Sequence, residues 1–184
     1  MPRNWKTSFV LAALIVGAAA TAFGQGLPED LKAKVDAQVA LLKPLGSDPA
    51  VVAAVKAYNT TPPPEAATMT NDKWKTLTVL DPFVRGYTKN PLAVYLKGKL
   101  DPVVTEAFVS GADGGKVAFL SKTTYWNHKG KEKHMSPMAG KVYYGPVEVD
   151  ESTGLQAIQI GIPVLDGGRP IGSMVLGLSI AKLK

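Results

Sequence analysis

The 184-residue sequence predicts an α+β fold in which a long N-terminal helix packs on a five-stranded antiparallel sheet. Two observations predict it. Apolar residues recur with a helical period in the first half of the chain, and from residue 103 onward they alternate with a period of two. Turns at 111–115, 150–154 and 166–168 separate the strand-like segments, as is typical of antiparallel hairpins. The chain is 46% hydrophobic and 20% charged, so one folded domain with its own core is expected.

The first predicted helix begins at Pro28, because proline suits the first helical position and two acids follow it. Its apolar residues share one face: Leu31, Val35, Val39 and Leu42. A second helix is predicted to begin at 47–49, where capping residues precede a proline. The three prolines at 62–64 are predicted to end it and to form an extended spacer.

Two short helices are predicted next, one capped by Thr70 and one that runs from Pro91 to Leu100. The pair Asp81–Pro82 is predicted to end the first of them. The domain therefore divides into a helical half, residues 28–100, and a sheet half, residues 103–183.

The sheet half is predicted to contain strands at 105–110, 117–121, 141–149, 155–164 and 170–180. In the last two strands one face is apolar and is expected to contact the N-terminal helix. The opposite face carries small and polar residues, among them Gln159, Gly161 and Gly177, which leaves room above the sheet. Either a ligand or a loop or helix of the chain itself can occupy that room.

Residues 1–24 are predicted to be a cleaved secretory signal. Arg3 and Lys6 precede an apolar run over residues 9–20, and small residues follow at the spacing that signal peptidase recognises. The run is shorter than the roughly 20 residues that span a bilayer. An uncleaved N-terminal membrane anchor is the alternative. Residues 25–184 are expected to form a single domain in the periplasm or outside the cell.

Composition and motifs exclude several kinds of site. The chain has no cysteine, which excludes disulfides, thiolate chemistry and Cys-based zinc sites. It contains neither a G-x-S-x-G nor an H-E-x-x-H motif. The net charge is +6, but the basic residues are scattered rather than interleaved with aromatics, so nucleic-acid binding is not expected. We predict a chain that is not an enzyme and that uses no cofactor and no metal.

Five segments in chain order carry a resemblance to a known family. They are DPAVVAAVKAYN at 48–59, EAFVSGADGGKVAFLSK at 106–122, YW at 125–126, KVYYGPVEVDESTG at 141–154, and IPVLDGGRPIGSMVLGLSIAKL at 162–183. Together they resemble the Cache superfamily, also called PDC sensors, which are extracytoplasmic PAS-like domains of bacterial signalling proteins. The resemblance implies a PAS-like sheet and a role in sensing or ligand binding.

The loop at 122–140 departs from the family pattern. Thr124 stands where the family has an aspartate, and a basic, histidine-bearing run replaces an acidic stretch. Aromatic walls suit a small ligand, and the cations of the loop suit a carboxylate. The predicted ligand-binding residues are Tyr125, Trp126, His128, Lys133, Tyr143 and Asp150.

The sequence therefore predicts a periplasmic, non-catalytic sensor domain whose 122–140 loop closes a pocket for a small organic acid. Its expected partners are this small-molecule ligand and a membrane sensor kinase or chemoreceptor that carries the signal. One alternative is a structural or interaction module whose own side chains fill the pocket. Another is a secreted enzyme of unrecognised mechanism.

Overall fold

A computed structural model gives the fold of residues 27–149 and 155–184. The predicted signal segment and Asp150 lie outside these residues. Within them, no helix combines the length and the apolar character needed to cross a bilayer. The helices are α1 (Glu29–Leu42), α2 (Pro49–Thr60), α3 (Pro64–Ala67), α4 (Asn71–Thr76), α5 (Pro82–Lys89), α6 (Pro91–Lys99) and α7 (Glu132–Met138). Short 3₁₀ turns follow α1 at Lys43–Ser47 and end the sheet at Ile180–Lys182.

The strands form one antiparallel sheet, as predicted. They are β1 (Val104–Gly111), β2 (Lys116–Phe119), β3 (Tyr143–Val149), β4 (Gln156–Asp166) and β5 (Arg169–Ser179). Their order across the sheet is β2-β1-β5-β4-β3. Two glycines with positive φ, Gly167 and Gly168, form the tight turn between β4 and β5. The predicted fold class is therefore confirmed.

One face of the sheet forms the main apolar core. Ile158, Ile160 and Ile162 of β4 are fully buried, as are the alternate residues of β5 from Met174 to Leu178. Val35, Val39 and Leu42 of α1 and Val51 and Val55 of α2 belong to the same buried cluster. Burying each such side chain contributes about 1.5–3 kcal/mol, so this face stabilises the packing of helices on sheet.

Three helices differ from the sequence prediction. Pro64 and Pro82 begin helices α3 and α5, whereas the sequence analysis placed an extended spacer and a helix end at these prolines. A proline fits the first turn of a helix because the N–H that it lacks would have no helical partner there. The Asp81 side chain also caps α5 by accepting a hydrogen bond from the Phe83 N–H at 2.9 Å. Helix α7 lies inside the segment that was predicted to be a loop.

Strand β3 is irregular in its middle. Its pairing with β4 shifts register between Tyr144 and Val147, at Gly145 and Pro146. Gly145 fits here because a Cβ would lie 3.0 Å from the Gln159 carbonyl oxygen. The strand therefore bends at Gly145 and Pro146.

Helix α7 occupies much of the room above the small-residue face of the sheet. A Cβ on Gly161 would lie 2.7 Å from the Lys133 carbonyl oxygen and 3.1 Å from Cγ of Pro137. The sequence left open whether a ligand or a part of the chain itself covers the small-residue face. At Gly161 a helix of the chain covers it.

The contact between α7 and Gly161 predicts a matched pair of stability effects. Gly161→Ala should lower the free energy of unfolding by about 1–3 kcal/mol, because the methyl group pushes α7 off β4. Gly86→Ala, in the middle of α5 with nothing within 4 Å of the new Cβ, should raise it by about 0.5–1 kcal/mol. Chemical denaturation measures both values. Equal effects of the two substitutions would contradict the close approach of α7.

Candidate ligand-binding site

The candidate site is the polar face of the sheet beneath the 122–140 segment. Polar side chains are fully buried here although the surrounding domain core is apolar. We call five of them the polar cluster: Ser110, Lys116, His128, His134 and Ser173, each at most 2% exposed. Buried polar groups are rare unless they are hydrogen-bonded, so the bonds within this cluster decide what it can do.

Lys116 is the centre of the polar cluster. It is 0% exposed, and its Nζ lies 2.6 Å from Nδ1 of His128 and 3.5 Å from Oγ of Ser110. The Nζ also lies 3.5 Å from the centroid of the Phe108 ring, a cation–π distance. Val109 pairs with Ala118 and Ser110 with Lys116, so Val117 is an extra residue in β2, and this bulge brings Lys116 to the polar face.

Lys116 has no acidic partner in the part of the chain that the structure describes, since none of the ion pairs there includes it. Burial lowers its pKa well below the usual value, and the nearby charge of Lys133 lowers it further. The charge of Glu106 acts in the opposite direction. The amine is therefore held in a place where its charged form is disfavoured.

His128 is held over Lys116 by the backbone. The backbone N–H of His128 donates to the Gly114 carbonyl at 2.9 Å, and Gly114 has a φ of 83°, in the region that favours glycine. Burial, together with the charges of Lys116 and Lys133, lowers the pKa of His128 to about 2. The ring is therefore neutral at pH 7, and Nδ1 accepts the hydrogen bond from Lys116.

His134 is fixed in a similar way on α7. Its Nδ1 lies 2.7 Å from Oγ of Ser173 on β5, and a further hydrogen bond joins it to the backbone of Ala112. Burial lowers the pKa of His134 as well. The two histidines thus bring the loop and α7 down onto the sheet as neutral hydrogen-bonding groups.

A second row of polar side chains continues the site toward β3. Lys133 Nζ donates to Oε1 of Gln159 at 2.7 Å, and Nε2 of Gln159 donates to Oε2 of Glu106 at 2.6 Å. A cavity of about 170 Å³ lies beside this row and is lined by Lys133, Gln159, Tyr143 and Glu148, among others. A smaller cavity of about 80 Å³ shares Gln159 and Glu148 with it.

Trp126 does not line either of these cavities. It is 1% exposed and packs in an aromatic group with Trp74, Phe83 and Tyr87, at ring distances of 5.0 to 5.4 Å. Nε1 of Trp74 donates to the Thr123 carbonyl at 2.7 Å, which fixes the start of the loop. In this structure Trp126 therefore holds the loop in place.

The other predicted residues are distributed around the site. Lys133 and Tyr143 line the 170 Å³ cavity together. His128 belongs to the polar cluster, and Tyr125 is half-buried with its ring 6.1 Å from that of His128. Asp150 lies outside the described residues, so its predicted role stays a prediction.

Lys116 and Glu106 belong to the candidate site but were not predicted from the sequence. Lys116 directly follows the polar turn at 111–115, where a lysine is normally exposed, and only the extra residue Val117 in β2 turns it inward. Glu106 sits on β1 and becomes part of the site through Gln159 of β4. Within residues 27–149 and 155–184, no group of three or more His, Asp or Glu side chains could hold a metal ion.

The chain is similar in fold to several solved structures. No family model matches it, and no curated protein does either. The ligand-binding domain of the Pseudomonas aeruginosa PAO1 amino acid chemoreceptor PctC, in complex with GABA, is 12% identical, with a TM-score of 0.47, over 84% of this chain and 57% of that one. The Campylobacter jejuni chemoreceptor Tlp3 ligand-binding domain with 4-methylisoleucine is 12% identical, with a TM-score of 0.40, over 85% and 63%.

The sensor domain of the V. cholerae histidine kinase DctB is a third similar structure. It is 12% identical, with a TM-score of 0.38, over 83% of this chain and 58% of that domain. The chain thus spans about three fifths of the length of these domains. By their descriptions these are ligand-binding or sensor domains, and similarity at this level gives no information on the ligand of this chain.

The environment of Lys116 predicts that its stem, rather than its amine, stabilises the fold. Lys116→Met keeps the apolar volume and removes a costly buried amine, so the free energy of unfolding should stay within about 1 kcal/mol of wild type or rise. Lys116→Ala should lower it by about 2–5 kcal/mol because it leaves a cavity. Chemical denaturation at pH 7 measures both. If Lys116→Met destabilised as much as Lys116→Ala, the amine would be a structural requirement.

The buried state of His128 predicts a pH dependence of stability. The folded-state pKa is about 2 and the unfolded value about 6.5, so below pH 6.5 the unfolded chain binds a proton that the folded chain does not. Stability is therefore lost as the pH falls from 6.5, by up to about 1.4 kcal/mol per pH unit.

His128→Asn, whose side-chain oxygen can replace Nδ1 as an acceptor, should remove this share of the slope. Denaturation curves between pH 4 and 7 compare the slopes of the two proteins. The part of the slope that comes from His134 and the carboxylates remains in both. Parallel curves would contradict the buried neutral state of His128.

Proposed function

We propose that this chain is a non-catalytic sensor domain that binds a small carboxylate at the polar face of its sheet. The observation that carries the proposal is Lys116, a fully buried amine whose hydrogen-bond partners, His128 and Ser110, are neutral and which has no ion-pair partner among the described residues. Burying an unpaired ammonium costs several kcal/mol, and a protein retains such a group where it serves a function.

A bound carboxylate supplies the missing charge. Its oxygens can accept from Nζ of Lys116, and the hydroxyls of Ser110 and Ser173 lie in the same polar cluster. The negative charge favours the protonated lysine and so raises the pKa that burial lowers. Lys133 adds a second cation at the rim of the site.

The size of the site favours a small ligand. The 170 Å³ cavity next to Lys133 holds about five or six water volumes of ~30 Å³, which corresponds to an acid of a few heavy atoms. Binding directly on Lys116 requires α7 to move from the sheet. Helix α7 has only seven residues and includes Pro137, so its position depends on tertiary contacts that a ligand can replace.

The proposed location and partner of the domain rest on the sequence. The signal-like N-terminus supports a place in the periplasm or outside the cell, where a small metabolite is met directly. The resemblance to Cache domains supports a membrane sensor kinase or chemoreceptor as the partner that receives the signal. Binding is proposed without catalysis because the chain contains neither a G-x-S-x-G nor an H-E-x-x-H motif.

A second candidate function is a structural or interaction module without a ligand. The observation that favours it is the packing of α7 against Gly161, which fills space that a ligand would otherwise use. The two functions differ in one measurable respect, because only the sensor changes its stability in the presence of a small acid.

The proposed function predicts a thermal shift with small carboxylates. Formate, acetate, pyruvate, lactate and succinate should be tested at matched ionic strength and pH 7. An acid present at ten times its Kd stabilises the folded chain by about 1.4 kcal/mol, which raises Tm by about 3–5 °C.

Lys116→Met should abolish the shift, because the charge that meets the carboxylate is gone. Lys97→Met, on the exposed surface of α6, is the matched control and should keep it. An equal shift in Lys116→Met and wild type would exclude Lys116 as the binding group. No shift with any of the acids would favour the module without a ligand.

A further inference from the structure

A separate cavity of about 850 Å³ lies between helices α2, α3, α5 and α6. It shares no lining residue with the 170 Å³ cavity of the candidate site. Its volume falls within the range of roughly 300–1,000 Å³ that is typical of small-molecule pockets. We refer to it as the helical groove.

The walls of the helical groove are apolar and rigid. Tyr58 of α2 and Phe83 and Tyr87 of α5 supply aromatic surface, and prolines at 63, 64, 82 and 91 supply fixed backbone. The ring of Tyr87 stacks parallel to Phe119 at 5.7 Å, and Phe83 lies 5.0 Å from Tyr87. These contacts hold the aromatic wall in place whether or not the groove is occupied.

The lining of the groove contains few polar residues, and the charge that it carries is negative. Glu65 at the start of α3 is the single charged residue in the lining that the structure describes, although the chain as a whole has a net charge of +6. No ion pair of the described residues includes Glu65. A groove with apolar walls and one unpaired carboxylate is complementary to a molecule with an apolar body and one positive charge.

Tyr87 gives a second and independent indication of a ligand. Its hydroxyl is buried and, in the described part of the chain, has no hydrogen-bond partner. Burial and the charge of Glu65 raise the pKa of Tyr87 to about 12, so the phenol remains neutral and can accept or donate a hydrogen bond. An unpaired buried hydroxyl costs about 1–3 kcal/mol, and a ligand that bonds to it recovers this cost.

We propose that the helical groove binds a small apolar amine, with an aromatic or aliphatic body against Tyr58, Phe83 and Tyr87 and an ammonium near Glu65. The aromatic faces attract the cation in addition to packing against the body of the ligand. The ammonium can donate both to the Glu65 carboxylate and to the Tyr87 hydroxyl. This site is independent of Lys116 and would be occupied in addition to a carboxylate on the polar face.

Isothermal titration calorimetry with three probes tests the proposal on the full chain. The probes share a phenyl body and differ in the head group: 2-phenylethylamine, 2-phenylethanol and 3-phenylpropionate. The amine should bind most tightly and the acid least. Glu65→Gln should lower the affinity for the amine by about two- to fivefold, which is the contribution of an exposed ion pair, and should leave the affinity for the alcohol unchanged. Equal affinity for amine and alcohol, or no binding of the amine, would overturn the proposal.

A steric pair of variants locates the binding. Gly86 lies in the groove wall, and an added Cβ there meets nothing within 4 Å, so Gly86→Phe places a ring in the groove without a clash at its base. Gly98, on α6 and outside the lining, has the same open surroundings, so Gly98→Phe is the matched control. Gly86→Phe should lower the affinity for the amine by about tenfold or more, and Gly98→Phe should leave this affinity unchanged.

Circular dichroism first establishes that both variants are folded, and Glu65→Gln tests the site even if Gly86→Phe fails to fold. Binding that survives Gly86→Phe unchanged would place the amine elsewhere and overturn the assignment to the groove. Lys116→Met should bind the amine as wild type does. A loss of amine affinity in that variant would place the amine at the polar face and also overturn the proposal.

Discussion

The close approach of α7 to Gly161 is the contact on which the candidate site depends. It places Lys133 beside Gln159 and His134 beside Ser173, so that polar groups of the helix meet polar groups of the sheet. The segment before α7 is fixed at its other end by the bond from His128 to Gly114. A larger residue at position 161 would lift the helix and separate these pairs together.

The interior of the domain therefore has two different halves. On one face of the sheet, branched apolar residues pack with α1 and α2 and supply most of the hydrophobic stabilisation. On the other, Lys116 and two neutral histidines are buried at a cost that the apolar half must offset. This unfavourable burial of an amine is the physical basis of the proposal that a ligand binds at this face.

Much of the fold could be predicted from the sequence, because the period of two in residues 155–180 defines strand faces without any knowledge of neighbours. Helix α7 could not, since an isolated segment of seven residues that contains Pro137 has little intrinsic tendency to form a helix. Its structure comes from packing on β4 and β5. The burial of Lys116 could not be predicted either, because one extra residue in β2, Val117, decides which face of the sheet Lys116 joins. Trp126 was expected beside a ligand because of its residue type. It packs instead with aromatic residues of α4 and α5, and these lie about 40–50 residues away in the chain, so the sequence pattern around Trp126 could not reveal the contact.

The irregular middle of β3 has a consequence for how molecules of this protein meet one another. The strand lies at the border of the sheet, where unpaired backbone groups could align with the same strand of a second molecule. Pro146 offers no N–H for such an alignment, and the bend at Gly145 breaks the straight row of donors and acceptors. These two residues therefore disfavour intermolecular strand addition along this border.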